Sequence, residues 1–136
     1  MLLYHRHEYR RYHEPDVHIE DDADLQWLVK HILESAGSFE VRVCGTGAEG
    51  LRCVAEFSPD LVLLDVMMPG MDGFSVLRAL RAQPESAALP VVFLTARAQE
   101  CDEYLRSGAH GVITKPFEPG GLVQQVRAYA GELVAA

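Results

Sequence analysis

A chain of 136 residues, 49% hydrophobic and 24% charged, has the length and mix of one globular domain that buries most of its unfolded surface. A formal net charge of −8 sets the body against nucleic acid and anionic membranes, and no apolar run nears the roughly 18 residues of a membrane span. The odd cysteine count (Cys44, Cys53, Cys101), without metal-ligand spacing, points to reduced thiols in a cytoplasmic protein.

Residues 1–15 differ from the rest. They carry His5, His7 and His13, Arg6, Arg10 and Arg11, and Tyr4, Tyr9 and Tyr12, with no apolar core of a signal peptide. Lacking a wider basic surface, the stretch reads as a flexible leader, and 16–136 as the domain.

Regular patterning begins after it. Val17-His18-Ile19 forms a short strand ending in Glu20-Asp21-Asp22. Leu25, Leu28, Val29, Ile32, Leu33 and Ala36 then follow helical spacing, stopped by Gly37. Phe39, Val41 and Val43 alternate with Glu40 and Arg42, a second strand near a sheet edge. Gly45-Thr46-Gly47 turns into a helix with Leu51, Val54 and Ala55. Leu61 to Leu64 is an unbroken apolar run, as in a strand covered on both faces, and it stops at Asp65. Pro69-Gly70 turns the chain, and Asp72 can cap a helix reaching Ala82. Val91–Thr95 is the fourth strand. A polar helix over 98–107, a fifth strand over Gly111–Lys115 and a last helix over 118–134 complete the pattern, with Leu122, Val126 and Tyr129 inward.

Strands alternating with helices dictate a doubly wound α/β fold: a parallel sheet of five strands, helices on both faces, and right-handed crossovers. Ligand crevices in such sheets lie at the strands' carboxyl ends. Four ends there carry chemistry: Glu20 and Asp21, Asp65, Thr95 and Lys115. Each alone has a plainer role, as an acidic helix start, a cap or a surface lysine. Together, carboxylates meeting in one crevice repel each other unless a cation joins them, and the fit is to Mg²⁺, with Mn²⁺ as a substitute.

The string Pro59-Asp60-Leu61-Val62-Leu63-Leu64-Asp65-Val66-Met67-Met68-Pro69-Gly70-Met71-Asp72-Gly73 resembles the phosphoacceptor segment of response regulator receiver domains. The resemblance extends over about Asp16 to Val134 and implies a flavodoxin-like strand order of 2-1-3-4-5. It implies that Glu20, Asp21, Asp65 and the Met67 backbone carbonyl hold the metal, that Asp65 accepts a phosphoryl group, and that Thr95 and Lys115 bind it. Lys115-Pro116-Phe117 matches the family's Lys-Pro-Phe, whose bond before proline is commonly cis.

Implied partners are a histidine kinase or phosphotransfer protein and a downstream protein on the face of helix four, strand five and helix five. A homodimer is compatible; membrane and nucleic acid are not expected. The chain stops after helix five, which reads as a stand-alone signalling domain acting only on its own phosphorylation. Val112 departs from the family pattern by standing where an aromatic residue usually swings with the threonine. His18 departs by occupying an aliphatic position, where a neutral, hydrogen-bonded core histidine is expected. Met67 and Arg97 occupy variable positions near the approach of a hydrolytic water. Alternatives are a binding module that has lost phosphorylation control and a metal-dependent hydrolase, the latter disfavoured because no general acid follows Asp65.

Overall fold

The computed structural model describes residues 14–134. Five parallel strands, β1 (Glu14–Ile19), β2 (Phe39–Cys44), β3 (Leu61–Asp65), β4 (Val91–Thr95) and β5 (Gly111–Thr114), lie in the order β2-β1-β3-β4-β5. Five α-helices connect or follow them: α1 (Ala23–Ser35), α2 (Gly47–Phe57), α3 (Gly73–Ala82), α4 (Cys101–Arg106) and α5 (Pro119–Val134). This is the doubly wound topology that alternation of strand and helix patterns demands.

The sheet divides the core in two. Val17, Ile19, Val62, Leu64, Val91 and Phe93 pack beneath α2, α3 and α4 through Val54, Leu77 and Tyr104. Leu61, Leu63, Val92, Leu94 and Ile113 pack beneath α1 and α5 through Val29, Leu33, Leu122 and Val126. Alternate residues of one strand thus serve opposite layers, and β3 and β4 are buried at every position.

Boundaries differ from the sequence pattern in instructive places. β1 starts at Glu14, because Glu14 and Pro15 pair in register with Phe39 and Glu40; the leader over 1–15 otherwise lies outside the described residues. The polar helix over 98–107 divides into a 3-10 turn, Ala98–Glu100, and α4, whose start lacks a side-chain cap. On α1, Leu28 faces outward beside Trp27, which is 65% exposed and stacks on His31, so the buried stripe is Val29, Ile32 and Leu33. On α2, Ala55 is exposed while Gly50 is buried against Ile19.

Candidate functional site

Four loops leave the carboxyl ends of β1, β3, β4 and β5 on one edge of the sheet, and the strand register fixes how they meet. Ile19 pairs with Leu64, Asp65 with Leu94, and Thr95 with Thr114. Each pairing brings the next residue, or the pair itself, to the same rim. Local caps then set the exits. Asp22 accepts from the backbone N–H groups of Asp24 and Leu25, starting α1 directly after Glu20 and Asp21. Asp72 accepts from the Ser75 N–H at 2.9 Å, starting α3. The Gly73 N–H donates to the Val66 carbonyl at 3.0 Å, folding the intervening loop back on the strand end.

Glu20, Asp21 and Asp65 converge so that one carboxylate oxygen from each lies within 4.8 Å of the others. Glu20 and Asp65 are buried, whereas Asp21 is exposed at the mouth. The Lys115 ammonium bridges the buried pair, 3.3 Å from a Glu20 oxygen and 3.6 Å from an Asp65 oxygen. A cis peptide bond joins Lys115 to Pro116, as the motif implies. Glu20 is raised to about 7, first by burial and then by its hydrogen bond and charge repulsion with Asp65. Lys115 and the Asp22 N–H pull it the other way. One lysine therefore incompletely offsets the crowding of acids, and all three open donors are hard oxygens. That set fits a hard divalent cation rather than a soft metal.

Asp65 is also held by the Met67 N–H, which donates to Oδ1 at 3.3 Å. Met67 itself is 60% exposed, and Arg97, also exposed, pairs with Glu100 at 3.6 Å. Thr95 is buried; its Oγ1 accepts from the Arg97 N–H at 3.0 Å and lies 3.4 Å from the Tyr104 hydroxyl. Tyr104 was not singled out from the sequence. Fully buried from α4, it donates to Glu100 at 2.8 Å and packs against Phe74 and Phe93. An aromatic hydroxyl thus does stand beside the threonine, delivered by α4 rather than by β5. Val112, half-buried on β5, pairs with Phe93 in the ladder. The only signal in the sequence was the helical spacing of Glu100 and Tyr104.

His18 corrects one expectation. It is buried and, pushed down to about 3 by burial and then by Lys115, it is neutral. Neither ring nitrogen has a hydrogen-bond partner, however, and its 4.0 Å approach to Glu20 is not an ion pair for a neutral ring. No helix among the described residues is long and apolar enough to cross a membrane.

Residues 17–127 match the family model described as response regulator receiver domain. The chain is 45% identical over 112 residues to the DNA-binding response regulator MtrA of Mycolicibacterium paratuberculosis, covering 81% of this chain and 48% of that protein. It spans about half the length of the curated relatives it matches, and this relative's name gives no support to excluding nucleic acid as a partner. Among solved structures, a putative response regulator from Chloroflexus aurantiacus superposes with a TM-score of 0.81 at 30% identity, covering 87% of this chain and 98% of that one. Chemotaxis protein CheY4 of Vibrio cholerae gives 0.79 at 29% identity, over 85% and 98%.

Proposed function

Because this chain belongs to the response regulator receiver family, we propose that Asp65 is its phosphoacceptor and that a histidine kinase or phosphotransfer protein is the donor. The observation that carries this reading is the meeting of Glu20, Asp21 and Asp65 within 4.8 Å, with the Lys115 amine 3.6 Å from Asp65. Glu20, Asp21, Asp65 and the Met67 carbonyl would hold Mg²⁺, or Mn²⁺ in its place. Such an ion, when bound, supplies positive charge to the phosphoryl oxygens.

The chain's own groups account for the rest. An Asp65 carboxylate oxygen attacks phosphorus in line; its new P–O bond forms as the donor's P–N bond breaks, and the histidine nitrogen keeps the electron pair. Lys115 turns from the acid pair to the incoming phosphoryl oxygens and offsets their charge. The Thr95 hydroxyl, an acceptor for the Arg97 N–H, turns its proton from the Tyr104 oxygen, whose own proton goes to Glu100, to a phosphoryl oxygen. Drawing Thr95 toward the new anion changes its contact with Tyr104, and so couples the site to α4. Output then runs through the face of α4, β5 and α5, in the cytoplasm. A coupling of about 1–3 kcal/mol suffices for such a switch.

Mass spectrometry after incubation with Mg²⁺ and phosphoramidate tests the reading. It predicts the gain of one phosphate, lost in Asp65→Asn. No gain favours a module that works without phosphorylation, and multiple turnover on added phosphoesters favours a hydrolase.

A further inference from the structure

Cys44 ends β2 and Cys53 lies midway along α2, and both belong to the apolar cluster of Ile19 and Val54. In a parallel sheet the helix runs back antiparallel to the strand before it, so the register of α2 on β2 can be counted from one fixed contact. Arg42 provides that contact, its guanidinium carbon 4.4 Å from the centre of the Phe57 ring. Two residues forward on the strand advance about 6.6 Å on the same face, and four residues back on the helix retreat about 6 Å on its same face. The step carries Arg42 over Phe57 to Cys44 over Cys53. The pairing also registers at the sulfur: burial first, and then the Cys53 thiol, push the Cys44 thiol up to about 12.

We propose that Cys44 and Cys53 are a redox pair that closes into an intramolecular disulfide when a hydroperoxide oxidises Cys53. Cys53 is half-buried and meets solvent first, while Cys44 is buried behind it. The Cys53 thiolate attacks the peroxide O–O bond, giving a sulfenic acid and releasing water or an alcohol. The Cys44 sulfur then attacks the sulfenic sulfur, expelling hydroxide, which takes up the Cys44 thiol proton and leaves as water. The two thiols lose two electrons in total and the peroxide gains them. The bond would close on the residue that anchors the acid site, since the Cys44 carbonyl accepts from the Glu20 N–H at 2.9 Å. It does not depend on the phosphoacceptor reading.

The test is to oxidise the reduced protein with hydrogen peroxide, unfold it in alkylating agent, and map its peptides without reduction. The expected product joins the Cys44 and Cys53 peptides with the loss of two hydrogens, and dithiothreitol reverses it. Cys101→Ser should leave the link intact, and Cys53→Ser should abolish it with unchanged circular dichroism; Cys53→Ala replaces the serine variant if serine disturbs the packing. Sulfinic acid on Cys53 with Cys44 still alkylated, or disulfides only between chains, would overturn the proposal.

Discussion

Two buried side chains show what a residue's surroundings add to its identity. His18 sits in a strand otherwise apolar at Val17 and Ile19, so its burial is legible from the sequence; that both ring nitrogens go without a partner is not. His18→Leu should therefore raise stability by roughly 1–2 kcal/mol in a denaturant titration, and a loss would show that the ring is satisfied after all. Tyr104 is the opposite case. Its place in a short polar helix hid it, since nothing in the spacing says that α4 aims this hydroxyl at Thr95. Tyr104→Phe removes the 2.8 Å bond to Glu100 and should cost about 1 kcal/mol, read by thermal unfolding. Met67 and Arg97 are exposed, and on the proposed reading their bulk hinders a water from reaching a phosphorylated Asp65. Met67→Asn and Arg97→Glu should each speed loss of the phosphate, and unchanged decay in both would discard that role.

Among the elements, α3 shows how closely the site depends on its support. Its first residue, Gly73, packs so near the end of β3 that a Cβ there would lie 2.8 Å from the Asp65 carbonyl oxygen and 2.9 Å from the Val66 Cα. Those are backbone atoms and cannot rotate away. Gly73→Ala should thus cost roughly 1–3 kcal/mol and disturb Asp65 as well, whereas Asp72→Ala, which removes only the cap, should cost about 1 kcal/mol and leave the site intact. Paired unfolding curves and metal titrations separate the two effects. Asp72 and Gly73 were both readable as a helix start after Pro69-Gly70. The close approach was not, because it depends on how α3 crosses β3 rather than on either sequence. The division of the helix before β5 was hidden for a similar reason: its start has acids in the first turn but no capping side chain.

Over the whole molecule, the central strands and the polar residues that end them were legible because burial on both faces leaves continuous apolar runs, whereas the strand order came from the family resemblance, since patterning alone does not fix it. What patterning could not show is the far end of the sheet. There Asp16 is fully buried, and burial, then the charges of Glu14 and Asp60 and a hydrogen bond to Glu14, raise it well above its usual value. Glu14 is raised to about 7, chiefly by burial and then by Asp60. The folded state therefore keeps protons that the unfolded chain, with ordinary values of 3.8 and 4.5, has already released. The stability these groups contribute is full below about 4 and is lost as pH rises through 7 and beyond. Asp16→Asn should flatten that decline and add roughly 1–3 kcal/mol at pH 8, measured by denaturation across pH; an unaltered slope would place the protons elsewhere.

The most direct measurement is to treat the protein with Mg²⁺ and phosphoramidate, reduce any acyl phosphate with borohydride, and sequence the peptides by mass spectrometry. Chemistry centred on Asp65, with Lys115, Glu20 and Asp21 around it, predicts homoserine at position 65 alone and none when Mg²⁺ is withheld. Reduction at Glu20 or Asp21 instead, or labelling that proceeds equally without the metal, would contradict it.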